Sequence, residues 1–66
     1  MKIRDFTESE LEYFRKMCNF TEQERRYFDL KASDSTNIKI AFEMNVSESQ
    51  VSKLARRVKS KIIRVI

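Results

Sequence analysis

Residues 37 to 56 read Asn-Ile-Lys-Ile-Ala-Phe-Glu-Met-Asn-Val-Ser-Glu-Ser-Gln-Val-Ser-Lys-Leu-Ala-Arg, and this stretch decides the fold. Thr36, just before it, is suited to cap a helix over residues 37 to 44, and Ser47 is placed to cap a second one. Gln50 has the spacing that completes a capping box with Ser47, and Val46 stands where it would staple onto Val51 across the cap. Only Asn45-Val46-Ser47 lies between the two helices, so the chain must turn sharply. Asn is the best non-Gly residue for the left-handed conformation that ends a helix.

These offsets match the helix-turn-helix pattern position by position: apolar Ile40, small Ala41, apolar Met44, turn residue Asn45, apolar Val46, then Val51 and Leu54. Ala41 must be small because the second helix crosses closely over the first. Helical hairpins in general share this apolar spacing, but a basic outer face on the second helix is not expected of them. That face is present here. Setting Val51 at zero and advancing roughly 100° per residue, Leu54, Ala55, Val58 and Ile62 form one apolar stripe. The far side, between roughly 100° and 240°, holds Ser49, Ser52, Lys53, Arg56, Arg57, Ser60, Ile63 and Arg64.

Charge points the same way. Every acidic residue lies at or before Glu48, so residues 1 to 48 have a net charge of −2 while the last 18 residues carry six bases and no acid. A field this lopsided favours a polyanion as partner, although cations near a helix C-terminus are also favoured by the helix dipole alone. Small hydroxyls interleaved with long cations suit a helix in a DNA major groove, where Arg and Lys reach guanine edges or phosphates and Ser lets the backbone approach. The candidate DNA-binding residues are therefore Ser49, Gln50, Ser52, Lys53, Arg56, Arg57, Lys59, Ser60 and Lys61. Lys53 and Arg56, early on the helix, are expected to read bases, and Lys59, Lys61 and Arg64, later on it, to meet phosphate.

Working outward, Thr7 with Glu10 and Thr21 with Glu24 have the capping-box spacing, which starts two further helices over residues 7 to 17 and 21 to 32. Residues 6 to 14 and 20 to 28 are nearly the same text, which a shared grammar of helix starts explains better than duplication, because the period stops there. Phe6 is positioned to staple onto Leu11, and Leu11, Phe14, Met17 and Cys18 give the first helix a broad apolar face with Tyr13 at its edge. The expected core comprises Leu11, Phe14, Phe28, Leu30, Ile40, Ala41, Met44, Val51, Leu54, Val58 and Ile62.

With 66 residues the chain is one domain, 1-66, and its stability is expected to be a few kcal/mol. Gly and Pro are absent, which removes the usual residues of tight hairpins; the expected fold is all-α, a small four-helix bundle whose last helix is extended to residue 64. The single cysteine, Cys18, reads as a buried small hydrophobe, and the Met1 start lacks the apolar run of a signal peptide. An intracellular, cytoplasmic protein with no membrane span is expected. No cofactor is expected, and no enzyme, since the chain has no His, one Cys and no Gly-rich phosphate loop, while Glu8, Glu10 and Glu12 read as first-turn charges.

The stretch Thr21-Glu22-Gln23-Glu24-Arg25, then Phe28, Leu30, Ile38-Lys39-Ile40-Ala41, Met44-Asn45-Val46-Ser47, Val51 and Lys61-Ile62 resembles region four of bacterial sigma factors, and the LuxR-type DNA-binding domain is similar over the same residues. The resemblance covers residues 20 to 62 without a gap, leaving 1-19 as an N-terminal accessory helix. It implies that the helix starting at Ser47 reads a major groove of double-stranded DNA through Ser49, Ser52, Lys53 and Arg56. The alternative is a protein-binding helical adapter: the resemblance also implies contact with RNA polymerase, or another acidic partner would satisfy the same Lys and Arg residues, with Tyr13, Tyr27 and Phe42 as candidate aromatic anchors. Asp34 and Asn45 stand where the family has Gly, and Gln50 where it has Thr. Phe42 occupies a normally polar position and is expected to contact the accessory helix. The unbroken last helix looks more like the sigma region than the LuxR type. No promoter-melting region fits in this length, so the resemblance suggests a small stand-alone regulator of bacteria or their phages. Apolar residues running on through Ile62, Ile63, Val65 and Ile66 suggest a homodimer.

Overall fold

The computed structural model describes residues 2–66 and contains four α-helices: α1 (Glu8–Met17), α2 (Glu22–Ala32), α3 (Asn37–Met44) and α4 (Glu48–Val65). The expected all-α bundle is the observed one, and each helix begins one residue after the hydroxyl that caps it. Thr7 and Thr21 form full capping boxes: each hydroxyl accepts from the Glu10 or Glu24 N–H, and each Glu carboxylate accepts the cap residue's own N–H, at 2.8 Å for Glu10 and 2.9 Å for Glu24. Thr36 caps α3 by accepting from the Lys39 N–H at 3.2 Å.

At α4 only half of the expected box is made. The Ser47 hydroxyl accepts from the Gln50 N–H at 3.1 Å, but among the described residues the Gln50 side chain does not return to the Ser47 N–H. A neutral amide oxygen is a weaker acceptor than the carboxylates of Glu10 and Glu24, which accounts for the difference.

Two helices end in left-handed residues of the only non-Gly types that adopt this conformation at low cost. Asn45 (φ 56°) follows α3, with the Val46 N–H donating to the Ala41 carbonyl and the Asn45 N–H to that of Phe42, the paired bonds of a Schellman ending. Asp34 (φ 64°) ends α2 in the same way through Leu30 and Lys31. Asn19 (φ 51°) turns the chain between α1 and α2, a third such position that was not foreseen.

α4 is the hub of the packing, lying against α1, α2 and α3. Its stripe of Val51, Leu54, Val58 and Ile62 is fully buried, as the periodicity predicts. Ile40 and Ala41 meet it from α3, and Phe28 from α2. α1 joins the same core through Leu11, Phe14 and Cys18, and a run of rings links it to α2, with centroid separations of 4.8 Å for Phe6–Phe14, 6.5 Å for Phe14–Phe28 and 5.0 Å for Phe20–Phe28.

Five expectations are corrected. Leu30 and Met44 line the core without being fully buried, and Met17 is half exposed, because α1 is covered on one side only. Phe42 is 84% exposed, in solvent and not against the accessory helix. Tyr27, offered as a surface anchor, is core (2% exposed). Ile3 is buried as well, carried by a 3₁₀ turn (Ile3–Asp5) that packs on α2 and is held there by Arg4, whose Nη1 donates to Asp34 at 2.8 Å. No helix among the described residues is long and apolar enough to cross a membrane.

Candidate nucleic-acid interface

α4 presents the candidate residues because its opposite stripe is locked into the core. Ser49, Ser52, Lys53, Arg56, Arg57, Lys59 and Ser60 are all exposed, and Gln50 is half-buried beside the cap. Among the described residues, no carboxylate lies within ion-pair distance of Lys53, Arg56, Arg57, Lys59 or Arg64. Their charges face solvent uncompensated. Ile63 shares this face and is 64% exposed.

Arg56, Arg57, Ser60 and Arg64 line a shallow concavity on one flank of α4, with Lys61 and Glu24 at its inner edge. On the opposite flank Lys59 reaches a groove of about 420 Å³ shared with the N-terminal segment and α2. Two cationic flanks with a hydroxyl-rich crest between them run along one helix about 10–12 Å across, close to the width of the B-DNA major groove.

Lys61 departs from its expected role. Its ammonium is turned inward, donating to the Glu24 carboxylate and, at 3.4 Å, to the Asn19 carbonyl. Glu24 is 3% exposed and also accepts the Thr21 N–H, so one side chain joins the cap of α2 to the end of α4. Burial pushes the Glu24 carboxyl up, but the hydrogen bonds from Lys61 and from the Thr21 backbone outweigh it, and the group titrates below its ordinary value. Lys61 sits roughly 80° from the centre of the apolar stripe, close enough for a core-facing carboxylate to capture it. It is the one α4 base engaged by a carboxylate among the described residues.

A second bridge is remote from α4. Arg15 donates to Asp29 at 2.9 Å and lies over the Phe28 ring at 5.7 Å, fixing α1 on α2. The hydrogen bond from Arg15 to Asp29 raises the guanidinium pKa, so the arginine keeps its charge. Cys18 is buried, and burial pushes its thiol up, which leaves it an unreactive part of the core.

Three bases on the second flank, Lys2, Arg4 and Lys31, were not among the candidates. Lys2 and Arg4 lie on the N-terminal segment and Lys31 on α2, and no periodicity connects them. Of the aromatic residues considered as anchors for a protein partner, Tyr27 is unavailable, Tyr13 is half exposed with its hydroxyl 3.4 Å from the Val65 carbonyl, and Phe42 is fully presented next to Ile38, one turn earlier on α3. Comparison with known protein families, curated proteins and solved structures finds no match for this chain.

Proposed function

We propose that this protein binds double-stranded DNA by inserting α4 into the major groove and acts in the cytoplasm as a small transcriptional regulator, in keeping with its resemblance to sigma region four. The observation that carries this reading is the set of five α4 cations without carboxylate partners among the described residues, four on the side opposite a fully buried stripe and Lys59 at its edge. Uncompensated cations repel one another, and a polyanion relieves that repulsion with release of counterions. Lys53 and Arg56 are the base readers beside Ser49 and Ser52, while Arg57, Lys59 and Arg64 neutralise phosphates.

The test is titration of the protein into a pool of random genomic duplexes at several salt concentrations, with polyglutamate as a non-nucleic polyanion. Log affinity for DNA should fall linearly with log salt, by about 0.9 per neutralised phosphate, and a preferred sequence should emerge on selection. Equal binding to polyglutamate, or no selectable sequence, would refute it.

A second reading, an adapter that docks on RNA polymerase or another acidic partner, draws on Phe42 and Ile38, which expose 84% and 70% of their surface on one face of α3. It requires binding to polymerase without DNA that Phe42→Ala abolishes. Dimerisation remains part of the proposal, with Ile63 and Ile66 as the exposed apolar residues available to it. Sedimentation at tens of micromolar, with and without DNA, tests that point.

A further inference from the structure

We propose that the groove between the N-terminal segment, α2 and α4 is a phosphate-binding site, built by Lys2, Lys31 and Lys59 around the hydroxyl of Tyr27, with Arg4 paired to Asp34 at its rim. In this chain its occupant is the sugar-phosphate backbone of the duplex that α4 enters, so the inference rests on the DNA reading above.

The four cations come from three elements and face one concavity of about 420 Å³. Asp34 is the acid at its rim, and that carboxylate is held by Arg4 at 2.8 Å. With Arg4 engaged by Asp34, and at 3.9 Å by Asp5, the rim keeps Lys2, Lys31 and Lys59 without an ion-pair partner among the described residues. Tyr27 supplies the second, independent observation. Its ring is buried, yet among the described residues its hydroxyl has no hydrogen-bond partner, and no buried side-chain polar atom is left unsatisfied. The hydroxyl must then open into the groove that the residue lines. Burial pushes the phenol up, so it remains an O–H donor, suited to a phosphate oxygen.

Position supplies the occupant. A helix in the major groove has a sugar-phosphate strand on either side. Arg57 and Arg64 serve one flank of α4, and Lys59 alone would serve the other. The N-terminal segment and the end of α2 extend that second flank, which gives the 3₁₀ turn a role beyond burying Ile3.

The experiment compares the wild type, a Lys2→Gln/Lys31→Gln double variant, Tyr27→Phe and Arg56→Ala. Duplex DNA is titrated at several salt concentrations, and in a separate arm inorganic pyrophosphate is titrated while the Tyr27 ring resonances are followed by NMR. With retained helicity, the double variant should lose about 0.9 from the salt slope for each phosphate contact removed, about 1.8 in all, with equal weakening on selected and scrambled DNA. Tyr27→Phe should weaken both DNAs alike. An unchanged slope together with pyrophosphate shifts at Tyr27 that vanish in the double variant would keep the site and assign it to a free phosphate ester. An unchanged slope with no pyrophosphate response would overturn the proposal. Failure of the DNA reading itself shows separately, as wild-type protein that binds no duplex or as Arg56→Ala without effect.

Discussion

The Lys61 ammonium, on the penultimate turn of α4, donates to the Glu24 carboxylate in the first turn of α2, 37 residues away in sequence. Glu24 is already the acceptor for the Thr21 N–H. The same carboxylate therefore closes a helix cap and fastens the long helix along its length. A base that would otherwise extend the cationic face is paired instead with a carboxylate of α2.

Replacing Lys61 should consequently act on stability and not on salt dependence. Lys61→Met leaves a buried carboxylate without its cation and should cost about 1 to 3 kcal/mol, read by urea denaturation. The slope of log affinity for DNA against log salt should stay that of the wild type. A slope flattened with no loss of stability would show Lys61 to be a phosphate contact after all.

Glu24 also sets a pH dependence. Its carboxyl is depressed below the ordinary value of 4.5, with hydrogen bonds from Lys61 and Thr21 overcoming the upward push of burial. A depressed acid stabilises the fold fully above its unfolded pKa and loses that contribution as pH falls through the folded one. Between about pH 5 and about pH 2, the wild type should therefore lose more stability than Glu24→Gln. Parallel curves for the two proteins would contradict this.

Arg56 and Lys59 should separate by function. Arg56→Ala should cost about 1 to 3 kcal/mol on a selected site and relax preference at one base pair. Lys59→Ala should weaken selected and scrambled DNA equally and lower the salt slope by about 0.9. Equal losses on both DNAs for Arg56→Ala would remove it from base reading.

The crossing of α3 on α4 depends on Ala41, which is buried among Ile40, Val51 and Leu54 in the shared core. Ala41→Leu should overpack it and destabilise by about 1 to 3 kcal/mol. An unchanged thermal midpoint would mean that the two helices are not in close contact there.

Asn45 offers a backbone test. At φ 56° a β-branched side chain is strained, so Asn45→Val should cost about 1 to 2 kcal/mol, whereas Asn45→Gly should be neutral or stabilising. Chemical denaturation of the pair gives the comparison. Equal stability of the two variants would show that the turn has relaxed to another conformation.

The sequence by itself determined where the helices begin and end, which face of α4 is buried, and that its other face is cationic. These follow from interactions three to five residues apart: hydroxyl caps at Thr7, Thr21, Thr36 and Ser47, a left-handed Asn45, and a stripe from Val51 to Ile62. Only the tertiary structure decided which cations are free. Lys59 and Lys61 lie on opposite edges of the same stripe, and their own helix gives no reason to distinguish them. A carboxylate on α2 captures one, while the N-terminal segment and α2 bring further bases to the other. Tyr27 and Phe42 changed places in the same way, the first drawn into the core and the second left in solvent, because burial depends on which helix packs opposite, a relation between distant residues that local periodicity does not encode.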